Sequence, residues 1–202
     1  MNTLFDISPV LPAGFSYSPG FISEAEEMQL IKTIEKFDLQ NMKFHEYEAK
    51  RKVISFGQGW SFTEQQLKQG NPIPSEFNFL VERIADHLQI PKASIAQFLI
   101  TEYPVGSIIN WHRYAPPFET IVGVSLLSDC IFKLRPHEKE KQTRSATISL
   151  PVQRLSLYSM TGISKTAWQH STAPLNKVRY SLTFRTLRKE VLNILAKKPL
   201  DS

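Results

Sequence analysis

The second half of the chain alternates apolar and polar residues in a way that predicts short β-strands. The clearest case is the segment 179–185, where side chains switch character at every position. Its apolar positions are Tyr180, Leu182 and Phe184, and its polar positions are Arg179, Ser181, Thr183 and Arg185. A period of two puts the polar set on one face and the apolar set on the other. Because a strand rises about 3.3 Å per residue, the two arginines stand on one face, roughly 20 Å apart.

Similar short segments recur from residue 95 onward, and turn residues such as Pro104, Gly106 and Gly162 separate them. The expected strands are about 95–102, 107–112, 120–127, 130–135, 144–150, 154–159, 165–170 and 178–187. Several short strands that follow helical segments predict a jelly-roll, or double-stranded β-helix, with flanking helices packed against it. The expected fold class is therefore mainly β with helices (α+β).

Helical periodicity is confined to the first part of the chain and its last residues. Ser23 with Glu26 forms a capping box that predicts a helix from Glu24 to about Phe37. Its inward positions are expected to be Met28, Ile31 and Ile34. A second helix, capped by Ser75 and ended by Pro91, carries the apolar stripe Phe77, Leu80, Val81, Ile84 and Leu88.

The remaining segments connect these elements. Residues 1–20 read as an extended arm, 44–47 and 53–57 as strands, and 58–74 as a loop. A final helix is expected over 189–197. With no repeat or linker, we expect one domain over 1–202, in which 1–94 supplies helices and substrate-covering strands and 95–187 supplies the jelly-roll core.

Composition adds limits on location. The chain is 42% hydrophobic and 21% charged, and it has one cysteine, Cys130, so no internal disulfide is possible. No apolar run approaches the roughly 20 residues that cross a membrane, and the N-terminus does not resemble a signal peptide. We expect an intracellular monomer with no membrane contact, cytoplasmic or, in a eukaryote, nuclear.

The charge balance is basic, with a formal net charge of +5 and a pI of about 9.3. Lysine and arginine supply sequence-independent affinity for phosphates, so this charge is compatible with a nucleic-acid partner. A cluster of Lys50, Arg51 and Lys52 lies between the two expected strands of residues 41–60. A solvated hairpin with three exposed charges explains this cluster equally well.

Two histidines occur in comparable settings, His112 before an apolar strand and His170 before the strand that carries both arginines. With them come a Tyr-x-x-Gly turn at 103–106, Ser-Leu-Tyr-Ser-Met-Thr-Gly at 156–162 and Arg-x-x-x-x-x-Arg at 179–185. In this order and spacing, residues 97–187 resemble the AlkB-like family of Fe(II)- and 2-oxoglutarate-dependent dioxygenases.

The resemblance implies roles for individual residues. His112 and His170 would bind Fe(II), Arg179 would hold the distal carboxylate of 2-oxoglutarate, and Arg185 would lie nearer its C1 carboxylate. Tyr103, Thr101 and Ser181 would hydrogen-bond the cosubstrate. Histidine nitrogen together with one carboxylate is the ligand set typical of non-haem iron oxygenases, which leave open positions for cosubstrate and O₂.

The departure from the family pattern is Tyr114, which stands where the family has aspartate, two residues after His112. A phenol with a pKa near 10 is a poor metal ligand unless the metal ionises it. Three outcomes stay open. Iron is held by the two histidines with water or another carboxylate such as Glu119; Tyr114 itself binds; or the site is inactive. The candidate catalytic residues are thus His112, His170 and Tyr114.

The function implied by the resemblance is oxidative dealkylation of alkylated nucleic-acid bases, as in DNA repair. 2-Oxoglutarate would be decarboxylated to succinate, and the hydroxylated alkyl group would leave as an aldehyde. The base would be single-stranded or flipped out of a duplex. Expected substrate contacts are Lys50, Arg51, Lys52, Tyr47 and His45, with Lys133, Arg135 and Arg144 as further phosphate contacts. The alternatives are a catalytically silent AlkB-like binding protein and an oxygenase of a protein or small molecule.

Overall fold

The computed structural model describes residues 10–44, 47–61 and 63–197. The strands are β1 Phe15–Ser18, β2 Gln40–Phe44, β3 Tyr47–Ser61, β4 Gln66–Gln69, β5 Ile95–Tyr103, β6 Phe118–Leu126, β7 Cys130–Pro136, β8 Ile148–Val152, β9 Leu157–Met160, β10 Trp168–Thr172 and β11 Arg179–Leu187. The helices are α1 Glu24–Ile34, α2 Asn78–Leu88, α3 Gly162–Thr166 and α4 Lys189–Lys197. The mainly β fold with flanking helices is confirmed.

The strands form two antiparallel sheets. The larger sheet has the order β1-β9-β6-β11-β5-β3-β2, with β4 paired to β3, and the smaller has the order β10-β7-β8. In the larger sheet β11 lies between β5 and β6 and pairs with both over most of its length. The strand that carries both arginines is therefore in the middle of the sheet, where its side chains are fixed on both sides.

The predicted alternation of β11 decides which layer each side chain enters. Leu182 and Phe184 are buried in the layer that also contains α1 and α2, where the rings of Phe184 and Phe98 stack with centroids 4.6 Å apart. The ring of Phe77, which precedes α2, lies 4.7 Å from that of Phe98. Burying such side chains stabilises the fold by about 1.5–3 kcal/mol each. The opposite face of the larger sheet contributes to a second buried cluster, shared with the smaller sheet.

Helix α1 begins where the capping box predicts, and both hydrogen bonds of the box are present. Its inward face was predicted incorrectly at one position, because Met28 is 57% exposed while Leu30 and Ile34 are buried. The buried stripe includes Glu27, which accepts a hydrogen bond from the backbone N–H of Leu127 at 2.8 Å. Glu27, whose carboxylate has a hydrogen-bond donor, therefore occupies an inward position on α1, whereas hydrophobicity alone predicts that Met28 points inward.

Helix α2 buries the predicted stripe, but Ser75 does not cap it. A 3-10 turn over 75–77 comes first, and Pro74 occupies its N-cap without a side-chain hydrogen bond. The helix ends at Leu88 because Gln89 adopts the left-handed conformation with φ of 54°, two residues before Pro91.

Several strand boundaries differ from those expected. Residues 107–112 form only an isolated bridge at His112, and the strand expected at 144–150 begins at 148. Helix α3 occupies 162–166, so β10 begins at Trp168. The expected loop at 58–74 contains the end of β3 and all of β4. Pairing partners far along the chain set these limits, and periodicity within a segment does not contain that information.

Among the described residues, no helix combines the length and hydrophobicity needed to cross a membrane.

Candidate active site

His112 and His170 come together although 58 positions separate their numbers. Two backbone hydrogen bonds join them directly, from His112 N–H to His170 O at 3.1 Å and from His170 N–H to His112 O at 3.0 Å. Their ring centroids are 4.0 Å apart. β10 carries His170 at the edge of the smaller sheet, and the 104–117 segment returns beside that edge to deliver His112. The two imidazoles are thus close enough to bind the same metal ion.

The surroundings keep both imidazoles neutral. Burial lowers the pKa of His112, and the positive charges of Arg51 and Arg185 lower it further. Burial also lowers the pKa of His170 well below its usual value. His112 Nδ1 lies 2.8 Å from Asn110 O, so Nδ1 donates the proton and Nε2 keeps a free lone pair. His170 Nδ1 is buried without a hydrogen-bond partner. Neutral imidazole is the form that binds transition metals.

Tyr114 lies against the histidine pair. Its ring stacks on His170 with a centroid distance of 4.4 Å and an interplanar angle of 23°. The phenol groups of Tyr114 and Tyr158 are hydrogen-bonding partners, and burial raises the pKa of both. Tyr114 is therefore a neutral phenol at neutral pH, with its hydroxyl engaged by another phenol.

The residues expected to hold the cosubstrate share one face of the larger sheet. Arg179 lies opposite Tyr103 across β11 and β5, and Ser181 lies opposite Thr101. All four are buried, and the Arg179 guanidinium is 5.6 Å from the centroid of the Tyr103 ring. Arg179 Nε donates to Ser125 Oγ at 3.0 Å. None of the ion pairs formed among the described residues involves Arg179. A buried cation without an acidic partner is costly unless an anion binds to it.

Arg185 lies nearer the histidines. Its guanidinium is 5.3 Å from the ring centroid of Tyr114 and 5.0 Å from that of Phe118. Nη1 donates to Gln97 Oε1 at 3.0 Å, whereas Nε is buried with no hydrogen-bond partner. The two arginines of β11 therefore differ in surroundings, one deep in the interior and one beside the candidate metal ligands.

A cavity of about 950 Å³ opens above these groups. Its walls come from β3, from Lys68 of β4, from the 106–115 segment and from side chains of β5 and β11. Tyr114, His112 and Arg185 line it, whereas Arg179 and Tyr103 do not. Tyr114 thus belongs to the floor of the cavity, and the Arg179 pocket is not part of the open space.

The expected substrate contacts divide into two groups. Lys50 and Arg51 line the cavity. Lys52 does not, because strand alternation turns it to the other face of β3, where its amine lies 3.6 Å from a carboxylate oxygen of Glu102. The strand position of Tyr47 is described but its side chain is not, and His45 lies outside the described residues.

Glu119 does not complete the metal site. It is an exposed side chain, and its carboxylate lies 3.6 Å from Nε of Arg188. No group of three His, Cys, Asp or Glu side chains that could hold a metal occurs in the described part of the chain. Of the outcomes left open by the sequence, the one in which Glu119 supplies the carboxylate ligand of the iron is therefore wrong for this arrangement of the chain.

The structure adds functional candidates that sequence reasoning missed. Trp111 lines the cavity, and the Arg135 guanidinium stacks on its ring at 4.3 Å from the centroid. Arg135 is in turn fixed by Gln169, whose Oε1 accepts from Nε at 2.8 Å. Only the position of Trp111 next to His112 signalled such a role. Tyr158 lies within the quoted 156–162 motif, yet nothing in that motif shows that its hydroxyl reaches Tyr114.

Comparison with known proteins identifies the class. The model of the 2OG-Fe(II) oxygenase superfamily matches residues 14–185, and the chain belongs to this superfamily. The expected class, a 2-oxoglutarate-dependent dioxygenase whose family uses Fe(II), 2-oxoglutarate and O₂, is thereby confirmed at the level of the family. The resemblance to AlkB-like members is confirmed as well.

Individual relatives are distant. The chain is 25% identical over 170 residues to the tRNA (carboxymethyluridine(34)-5-O)-methyltransferase ALKBH8 of Mus musculus, a match that covers 81% of this chain and 25% of that protein. The chain therefore spans about a quarter of the length of this curated relative. The structure of OsALKBH1 superimposes with a TM-score of 0.70 at 13% identity, over 88% of this chain and 99% of that one.

A prolyl hydroxylase from Trichoplax adhaerens, solved with a peptide of the hypoxia inducible factor oxygen degradation domain, has a TM-score of 0.63 at 12% identity. That match covers 92% of this chain and 88% of the hydroxylase. At these identities the two solved structures establish the fold, the jelly-roll of 2-oxoglutarate oxygenases.

The residues present fit one half of the family's cofactor set and not the other. Buried Arg179, with hydroxyl groups from Ser125, Ser181 and Thr101 around it, suits the distal carboxylate of 2-oxoglutarate. The metal end offers two imidazoles and no carboxylate among the described residues, with Tyr114 stacked on one of them. The usual iron ligand set of two histidines and a carboxylate is therefore incomplete.

Lys165, in α3, is a buried cation beside this region. Burial and the positive charge of Arg188 lower its pKa to about 8, and Glu119 offsets part of the effect. The folded state therefore binds fewer protons than the unfolded state between about pH 8 and the usual lysine value of 10.5. Below about pH 8 the buried positive charge lowers the free energy of unfolding by its full amount. This loss of stability becomes smaller as the pH rises from about 8 to 10.5.

We expect Lys165→Met to raise the free energy of unfolding at pH 7 by about 1–2 kcal/mol, because it removes a poorly solvated charge while keeping the side-chain volume. The advantage should shrink between pH 8 and pH 10.5. Urea unfolding at several pH values measures both effects. Lys139→Met, on an exposed turn, is the control and should change stability little. Equal effects of the two substitutions would contradict the prediction.

Proposed function

We propose that the chain is an AlkB-like oxygenase of nucleic acid, which admits an alkylated base into the cavity for oxidative removal of its alkyl group. The observation that carries this proposal is the lining of the cavity, which combines basic side chains with Trp60, Trp111 and Tyr114. Aromatic faces stack on bases, and lysine and arginine neutralise phosphates. The relative in Mus musculus is by its name a methyltransferase of tRNA, which supports a nucleic acid as the partner.

The cavity is large enough to admit a base. A cavity of about 950 Å³ lies within the range of small-ligand pockets. Because a base within a duplex is stacked, such a pocket needs a single strand or a flipped nucleotide. The site residues would have separate roles. Lys50, Arg51 and His112 line the cavity, where the two cations would hold the strand and His112 would face the base. Arg179, which lies outside the open space, would anchor the cosubstrate.

Tyr114 favours a second candidate, recognition of nucleic acid without turnover. A neutral phenol in place of the carboxylate leaves the metal ligand set short of one anionic donor. Both candidates predict binding of oligonucleotides, and only the first predicts consumption of 2-oxoglutarate. An oxygenase of a protein predicts neither salt-dependent oligonucleotide binding nor its loss with the basic residues of the cavity.

The test is the affinity for a short fluorescent single strand, measured by anisotropy across a range of salt concentrations. Lys50→Gln is expected to weaken binding and to lower the slope of log affinity against log salt by about 1, since one phosphate contact is lost. Lys92→Gln, which follows α2 outside the cavity, is the matched control and should leave the slope unchanged. Succinate release with an alkylated strand then separates turnover from recognition. Identical slopes for both variants would reject the cavity as the nucleic-acid site.

A further inference from the structure

A row of hydrogen-bonded side chains crosses three neighbouring strands on the face of the larger sheet that borders the cavity. Ser55 of β3, Gln97 of β5 and Arg185 of β11 all line the cavity. Arg185 Nη1 donates to Gln97 Oε1 at 3.0 Å, and Gln97 Nε2 donates to Ser55 Oγ at 3.1 Å. Gln97 lies opposite Arg185 in the pairing of β5 with β11, and Ser55 lies opposite Leu99 in the pairing of β3 with β5. The pairing of the strands therefore holds this row of three side chains in place.

The guanidinium of Arg185 determines the direction of each hydrogen bond in the row. A guanidinium has donors only, so the Gln97 atom that faces it is the amide oxygen. The amide nitrogen then faces Ser55, whose oxygen accepts one of its two protons. The second amide proton of Gln97 and the hydroxyl proton of Ser55 have no acceptor among the described residues. In the described part of the chain, the row thus ends in two donors that still need an acceptor.

Both donors border the cavity. Ser55 is exposed, and the buried side chain of Gln97 reaches the cavity wall beside Gly59, another lining residue. A Cβ at position 59 would lie 3.9 Å from Gln97 Nε2, in van der Waals contact, so the glycine leaves this side of the amide uncovered. The guanidinium at the other end of the row polarises the amide and makes its N–H groups stronger donors.

Two donors this close together suit a single oxygen atom as acceptor. Gln97 Nε2 and Ser55 Oγ are 3.1 Å apart, so one oxygen with two lone pairs fits at ordinary hydrogen-bond distance from both. A carbonyl oxygen on the edge of a base has such lone pairs, whereas an exocyclic amino group presents protons. An amino group at this place would face the Gln97 N–H donor to donor and would leave that buried group without a partner.

Resting on the proposed function, we propose that Gln97 and Ser55 determine which base the cavity accepts, by donating together to a carbonyl oxygen on the edge of that base. The substrate class is then an alkylated base that has a carbonyl group, such as an alkylated uracil, guanine or hypoxanthine. Alkylated adenine has no carbonyl oxygen and falls outside this class.

The experiment compares two alkylated purines at the centre of one short fluorescent single strand, by anisotropy, in buffer with a chelator so that no metal takes part. 1-Methylhypoxanthine and N6-methyladenine are similar in size and neutral at pH 7, and only the first has a carbonyl oxygen. We expect the strand with 1-methylhypoxanthine to bind about tenfold more tightly, which is the effect of one well-placed contact to a base edge.

Two variants test the cause. Gln97→Glu keeps an oxygen for Arg185 but has no proton to donate, and it should reduce the preference to about twofold or less. Ser55→Ala removes the second donor and should reduce the preference to about threefold. The control Gln58→Glu adds the same negative charge at a position of β3 that does not line the cavity, and it should weaken both strands alike.

Equal binding of the two strands by the unmodified chain, or a preference that survives Gln97→Glu, would overturn this inference and leave the proposed function standing. If circular dichroism shows that Gln97→Glu does not fold, Ser55→Ala decides, and an undiminished preference in that variant would overturn the inference. If neither strand binds in a salt-dependent way, the proposed function fails and this inference fails with it.

Discussion

Tyr114→Asp is expected to raise the affinity for a divalent metal about 100-fold, because it supplies the anionic third ligand beside His112 and His170. It also removes the ring that stacks on His170 at 4.4 Å. Titration with Co(II), followed by its visible absorption under anaerobic conditions, measures the affinity without any need for turnover. A further readout is succinate release from 2-oxoglutarate when O₂ is admitted, which should be larger for the aspartate variant.

Two further substitutions separate the missing ligand from the steric effect of the ring. Tyr114→Phe keeps the ring and should bind Co(II) as weakly as the unmodified chain. Tyr114→Gly clears the space, and added formate should then tighten Co(II) binding by supplying the carboxylate. If the unmodified chain binds Co(II) as tightly as the aspartate variant, two histidines suffice and the incomplete ligand set is no obstacle. If the aspartate variant does not bind Co(II), His112 and His170 are not metal ligands.

The sequence predicted much of the framework around this site because the period of two is a strong local signal. Alternation in 179–185 correctly placed Arg179 and Ser181 on the face opposite Leu182 and Phe184. The capping box of α1 and the apolar stripe of α2 were equally readable, since each depends on residues within a few positions.

Other features depend on contacts between distant residues and could not be read locally. The 104–117 segment delivers His112 through a backbone bridge to His170 and not through a strand of its own. The same dependence explains Lys52, whose direction is set by pairing of β3 with β5 opposite Glu102. The burial of Glu27 likewise depends on Arg154, whose Nη2 donates to it at 2.6 Å.

The surroundings of Tyr114 show the same limit. The sequence showed that an aspartate was missing, but it gave no sign that a second phenol would bind the first. Tyr158 of β9 pairs with Gly123 of β6, and its ring lies over this glycine on the way to Tyr114. A Cβ at position 123 would lie 2.3 Å from Cζ of Tyr158. The glycine therefore leaves the room that the Tyr158 ring occupies above the sheet.

Gly123→Ala is accordingly expected to lower the free energy of unfolding by about 2–3 kcal/mol, because the Tyr158 ring is buried and has to move. The ring would be pushed away from Tyr114, so the hydrogen bond between the two phenols should be lost as well. Urea unfolding measures the stability, and a double-mutant cycle with Tyr158→Ala identifies the cause. In the Tyr158→Ala background, Gly123→Ala should cost less than about 1 kcal/mol, since the clashing ring is absent. An equal cost in both backgrounds would mean that the backbone of β6, and not the Tyr158 ring, requires the glycine.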